Sequence, residues 1–279
     1  MKQKKLYGIV NGIILLTALV LFGYRFWSGD TVQKLFQGYV GYAMIGIALL
    51  VYGIKALRLY FILLGQGISV PQFLKQYCKV IPVSVIYPYK LGELFRIYCY
   101  GHQISNFWNA TVCSLLDRFI DTIALVCVLL SVAIYNKTAI SGILYVLLVF
   151  LAVVILAYFV FPELYLYWKK YFLMRPASKR GIAMLELLEK MQETYLRIQM
   201  IAKGKYVILF ALSLLAWGIE IGGIGLMGGE ILPYLTSALT GTGNPLLQQY
   251  VMISVLLMLA VYVVLHMFMW MRERGARKC

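Results

Sequence analysis

The sequence predicts an all-α integral membrane protein with about six full spans, one or two re-entrant half-helices and an amphipathic cytoplasmic surface helix. Three observations carry that prediction. Of 279 residues, 62% are hydrophobic and 13% charged, against about 45–50% and about 25% in an ordinary soluble domain, which is more apolar surface than one globule can hide. Several uncharged stretches reach the roughly 20 residues that a helix needs to cross a hydrocarbon core of about 30 Å. Lysine and arginine gather in alternate connections between those stretches, as they do in cytoplasmic loops.

The apolar segments fall at 7 to 27, 38 to 57, 108 to 135, 140 to 161, 206 to 227 and 247 to 270. The first follows MKQKK and resembles a signal peptide at its start. It is longer than a typical apolar signal core of about 7–15 residues and no small-x-small site follows it, so it is expected to be retained. An even number of spans puts both termini on one side. Sixteen basic residues lie before the first span, between Lys169 and Lys205, and after the last span, whereas only Lys34 and Lys137 lie in the opposite loops. Both termini are therefore expected in the cytoplasm, with the protein in the cell membrane.

Residues 1–279 form a single polytopic membrane domain on this reading, with a cytoplasmic amphipathic segment at 162–205. Met184, Leu188, Met191, Tyr195 and Ile198 alternate at four and three residues, with Glu186/Lys190 and Glu193/Arg197 as i,i+4 pairs, the pattern of a surface helix. Lys169, Lys170, Arg175, Lys179 and Arg180 form a cluster suited to an anionic leaflet.

A net charge of +15 without a soluble basic, aromatic-laced domain points to anionic lipid and away from nucleic acid. The five cysteines show no CxxC pair, and His102 and His266 stand alone, so neither a disulfide framework nor a metal site is expected, and no cofactor. Gly223, Gly225 and Gly228 satisfy GxGxxG but lie in a membrane helix without a preceding strand, which excludes a dinucleotide fold. Gly218xxxGly222 and Gly225xxxGly229 are expected to be close helix-packing faces.

Residues 65–107 are too polar for an ordinary span and are broken by Pro71, Pro82, Pro88 and Gly92. Irregular backbone at membrane depth needs protein or a wet cavity around it, hence the re-entrant half-helices. Within PYKLGELFRIY, Glu93 lies three residues from both Lys90 and Arg96, close enough for either pair on a helix.

The following span carries Asp117, Arg118 and Asp121, and only the 14 residues Thr122 to Tyr135 beyond them are uncharged. These cover about 21 Å of helix, so the charges enter the hydrocarbon region. Arg118 is expected to pair with Asp121, and Arg96 or Lys90 to relieve repulsion between Asp117 and Asp121. Glu220, 15 residues past Lys205, also lies inside and joins the cavity wall. Lys55 and Arg58 are expected to snorkel at the inner end of the second span. Two readings of the buried charges stand: a structural network, or a polar cavity that takes a lipid headgroup, with Arg96 and Arg118 as phosphate donors.

These residues carry a resemblance. Pro88, Gly92, Glu93 and Arg96, followed by Asp117, Arg118 and Asp121, resemble the P-x-x-x-G-E-x-x-R and (E/D)-R-x-x-D signatures of the flippase-like transmembrane domain of lysylphosphatidylglycerol synthases. The family's late P-G-G-x-G-x-x-E element is not recognisable near Gly241 to Pro245, and no aminoacyltransferase domain precedes Cys279. The resemblance implies translocation of an anionic or aminoacylated phospholipid, or membrane-lipid modification, with antibiotic resistance as its outcome. It also leaves open a membrane component of a phosphatidylglycerol lysyltransferase that needs a separate soluble transferase. A third reading is a scaffold for envelope-glycan assembly beside a glycosyltransferase subunit, and a homo-oligomer is compatible with each.

Overall fold

A computed structural model describes residues 2–26, 39–87, 91–137, 142–174, 179–240 and 244–276. Ten helices fill these segments: α1 (Lys2–Phe26), α2 (Tyr39–Leu63), α3 (Val70–Ile86), α4 (Leu91–Ile104), α5 (Phe107–Tyr135), α6 (Gly142–Met174), α7 (Lys179–Ala202), α8 (Tyr206–Leu226), α9 (Ile231–Thr240) and α10 (Pro245–Ala276). Among the described residues there is no strand. Six helices, α1, α2, α5, α6, α8 and α10, are long and apolar enough to cross a membrane, as the sequence predicts.

Local chemistry sets the helix ends. The Asn106 side chain accepts the Asn109 N–H at 3.0 Å and caps α5, and the Asn244 side chain accepts the Leu246 N–H at 3.0 Å ahead of Pro245. Each satisfies an amide that the first turn leaves unpaired. At the end of α8, Gly228 adopts φ +76°, while the Gly229 N–H reaches Ile224 O and the Gly228 N–H reaches Gly225 O, both at 3.0 Å. This pair of bonds requires a left-handed residue at position 228, which glycine supplies without a steric penalty.

The half-helices expected between 65 and 107 are α3 and α4. Their 17 and 14 residues span about 25 and 21 Å, short of a crossing, and they fold back on each other as an antiparallel hairpin. Pro71 opens α3, and Pro82 lies within it. Pro88 and Lys90 lie outside the described residues, so no helix start at Pro88 is observed.

Helix α8 packs along α2 and against α5, while α3 lies between α10 and α4. In the span of α8, 44% of residues are buried, against 11% in the spans of α1 and α6. The peripheral pair therefore offers its Ile, Leu, Val and Phe side chains to lipid, where such exposure costs nothing.

Three expectations need correction. The second span does not stop near 57 but continues as helix to Leu63, which carries Lys55 and Arg58 inside the bundle. The fourth does not stop at 161; α6 runs through Pro162 to Met174, because a single proline kinks a long helix without ending it when no further breaker follows. The separate amphipathic helix is consequently α7 alone. Tyr195 packs on Tyr158 and Phe161, and Ile198 borders the main core. Met184 and Met191, by contrast, are exposed. Glu193 pairs with Arg197 at 2.5 Å, as expected, whereas Glu186 and Lys190 form no ion pair among the described residues.

The third correction concerns α8. Gly218 and Gly222 are exposed, and a Cβ added at either would meet nothing within 4 Å, so that face packs on no helix among the described residues. The closely packed glycines are Gly223, against Ile47 of α2, and Gly229, against Ile224 and Leu246. The buried face of α8 is set by Leu209, Ser213, Ala216, Glu220 and Ile224, and Gly218 and Gly222 lie on the other side.

Candidate functional site

Three helices bring polar residues to one seam at spacings of three, four or seven residues: Lys55 and Arg58 on α2, Ser114, Asp117 and Asp121 on α5, Ser213 and Glu220 on α8. Residues so spaced share a helix face. The hairpin helix α4 supplies Glu93 and Arg96 from one side.

At the innermost position Asp117 is held between two guanidinium groups. Arg58 Nε donates to its Oδ1 at 2.8 Å and Arg96 Nη2 to its Oδ2 at 2.5 Å. Arg58 Nη1 also donates to Asp121 Oδ1 at 2.5 Å and to Ser213 Oγ at 2.7 Å. The side chains of Arg58, Arg96 and Asp117 are only 3–4% exposed. A carboxylate with both oxygens engaged by charge-assisted bonds, one turn from a second carboxylate sharing the same cation, makes a fixed lattice.

The next layer is more open. Glu93 accepts from Arg96 Nη1 at 3.4 Å and from Ser114 Oγ at 3.5 Å, and its other oxygen pairs with Arg118. The Arg118 side chain is 44% exposed, the most accessible cation of the seam.

On the other side of Arg58, Lys55 Nζ lies 3.2 Å from Glu220 Oε2 and over the rings of Trp217 and Tyr52, 4.9 and 5.8 Å from their centroids. Tyr234 reaches in from α9 and donates to Glu220 Oε1 at 3.0 Å. Tyr234→Phe leaves that buried carboxylate one hydrogen bond short, and is expected to cost about 2 kcal/mol, read as a lower midpoint in denaturant titration of the purified protein.

The seam thus holds four cations (Lys55, Arg58, Arg96, Arg118) and four anions (Glu93, Asp117, Asp121, Glu220), all paired. Expected and observed pairings differ in an instructive way. Arg118 pairs with Glu93 and not with Asp121, while Arg58, expected at the membrane surface, separates Asp117 from Asp121. Arg96 does take Asp117, as expected, and Glu220 does join the buried polar seam. Arg58, Lys55, Ser114, Ser213, Trp217 and Tyr234 are the members that sequence reasoning missed. The common register of polar residues on α2, α5 and α8 was the available signal for the first four.

The surface cluster is only partly placed. Lys169 contacts the Tyr165 hydroxyl at 3.0 Å and Glu189 at 3.7 Å, and Lys170 is exposed. Arg175 lies outside the described residues, and for Lys179 and Arg180 only the α7 backbone is described.

The converging signatures are those of a known family. Residues 9–265 match the family model for the lysylphosphatidylglycerol synthase TM region. The chain belongs to this family. The match contains every residue of the seam and covers far more than the two signatures, which makes the protein a multi-pass membrane protein of the lipid-modification class. No curated protein and no solved structure matches the chain significantly. Within this lysylphosphatidylglycerol synthase membrane region, the geometry accounts for the described signature positions: Gly92 lets α4 approach α3, Glu93 and Arg96 face α5, Asp117 and Asp121 share Arg58, and Arg118 takes Glu93.

Proposed function

We propose that this protein binds a phospholipid headgroup at the Glu93–Arg118 edge of the seam and moves the lipid between leaflets. The observation that carries this reading is the gradient of exposure along one continuous set of ion pairs, sealed at Arg58–Asp117–Arg96 and open at Arg118. A sealed lattice holds geometry; an open pair can exchange partners. A headgroup phosphate competes with Glu93 for the Arg118 guanidinium, and the released carboxylate then meets an ammonium. A seam with equal numbers of cations and anions suits a headgroup bearing both signs, as an aminoacylated phospholipid does. Lys55–Glu220 offers the same exchange deeper in the bundle. The orientation belongs to the same proposal: 16 basic residues on one side against two on the other support cytoplasmic termini in a cell membrane.

The test is translocation in liposomes of fluorescent phosphatidylglycerol and of its lysyl ester by the purified full-length protein. Arg118→Gln and Glu93→Gln, each eluting as folded protein, are expected to slow movement at least about tenfold, the equivalent of about 1.4 kcal/mol of headgroup interaction. Wild-type rates in both would sink the assignment.

A second reading follows from the family's description as a synthase: this region holds the lipid while a separate soluble transferase aminoacylates it. Lipid extracts decide between them, since that reading requires new aminoacylated lipid only when the partner enzyme is present, and no movement by this chain alone.

A further inference from the structure

Outside the seam, one buried cation has no anion among the described residues. Lys79 of α3 is buried, and no described carboxylate lies within ion-pairing distance of it; the interior carboxylates Glu93, Asp117, Asp121 and Glu220 all serve other cations. An ammonium at such depth is retained where something compensates it.

The surroundings of Lys79 are rich in donors. Its Nζ donates to Asn11 Oδ1 at 3.2 Å and to the Tyr7 hydroxyl oxygen at 3.5 Å. Gln76 Nε2 donates to that same hydroxyl at 3.1 Å, and Cys99 Sγ to the same Asn11 oxygen at 3.6 Å. The donors of three side chains therefore share two neutral oxygens. The rings of Tyr7 and Phe95 lie 5.3 and 5.5 Å from the ammonium, a partial neutralisation weaker than a full negative charge.

The residues around Lys79 are not all sealed. Tyr7 and Gln76 are half-buried, and Lys75, one turn from Lys79, is half-buried as well.

We propose that this nook between α1, α3 and α4 is a second anion site, centred on Lys79 and separate from the Glu93–Arg118 edge, that takes the phosphate of a phospholipid headgroup or of a free phosphate ester. Lys79 supplies the charge. Asn11 and Tyr7 turn their side chains to an incoming phosphate oxygen, and Gln76 closes the entrance. This assignment does not depend on translocation, because nothing in the nook belongs to the seam.

The experiment is native mass spectrometry of the full-length protein in a neutral detergent, titrated with dihexanoyl phosphatidylglycerol, with dihexanoyl phosphatidylcholine, and with glycerol 1-phosphate. Saturable binding of phosphatidylglycerol is expected, with one equivalent weakened about tenfold by Lys79→Gln and untouched by Arg118→Gln. Competition for that equivalent by glycerol 1-phosphate identifies a free ester as sufficient; its failure to compete assigns the site to a lipid headgroup. Tyr7→Phe and Gln76→Leu, which leave the buried charge in place, are expected to weaken the same equivalent about threefold. Wild-type binding by a folded Lys79→Gln protein overturns the proposal. If that variant does not fold, wild-type binding in both Tyr7→Phe and Gln76→Leu overturns it.

Discussion

Arg58→Met is expected to cost about 3–5 kcal/mol of stability, the range for removing one partner of a buried ion pair. The guanidinium lies between two carboxylates one turn apart on α5, at 2.8 Å from Asp117 and 2.5 Å from Asp121. Without it the two anions face each other, Asp121 loses its ion-pair partner, and Ser213 loses a hydrogen bond. The double variant Arg58→Met/Asp121→Leu is expected to recover most of that loss, because it removes one charge of each sign and leaves Asp117 paired with Arg96 at 2.5 Å. Denaturant titration of the purified protein in detergent, with size-exclusion as the readout where the single variant fails to fold, measures both. A single variant as stable as the wild type, or a double variant no better than the single, would show that Arg58 does not hold the seam together.

That pairing also marks the limit of what the sequence made legible. The spans were visible because each is a long apolar run with few or no charges. The depth of Asp117 and Asp121 was visible because too few uncharged residues follow them to cross a bilayer. The half-helices at α3 and α4 were visible through their prolines and through a polarity that no lipid-facing span tolerates. The partners were not, because pairing across 59 positions of sequence depends on where α2 ends, and an apolar run that fades near Lys55 looks like a membrane boundary. In the fold α2 continues for two further turns to Leu63, and lysine and arginine that seemed to snorkel become the counter-ions of the interior. Tyr234 was hidden for a related reason: a tyrosine on a ten-residue helix carries no signal until the fold points it at Glu220. The glycines of α8 misled in the opposite direction, since small residues permit close packing without specifying which face is used.

Gly92→Ala is expected to be the most damaging single-methyl change in the protein. Gly92 is the second residue of α4, where its backbone passes that of α3. A Cβ at this position would overlap Ser84 Cα and lie 2.8 Å from both Ser84 N and Val83 O. Carbon atoms settle at about 3.5–4.0 Å, so the two helices must part by about 1 Å or more. The obstructing atoms are backbone, so no rotamer change relieves them, and Ser84→Gly is expected to give no rescue. The cost is placed at the upper end of overpacking, about 3 kcal/mol. Because α4 carries both Glu93 and Arg96, the displacement also draws Arg96 away from Asp117, and lipid movement is expected to fall with stability. Gly223→Ala is the informative contrast: its nearest obstruction is the Cδ1 methyl of the Ile47 side chain, with no backbone atom in the way. It is expected to cost about 1 kcal/mol, part of it regained in Gly223→Ala/Ile47→Val, where the Cδ1 methyl is gone and Cγ1, 2.9 Å from the added Cβ, remains. Unfolding midpoints and liposome transport for the four variants separate the cases. Rescue of Gly92→Ala by Ser84→Gly, or wild-type behaviour of Gly92→Ala itself, would mean that the backbones of α3 and α4 are not in contact, and that another constraint positions Glu93 and Arg96 against α5.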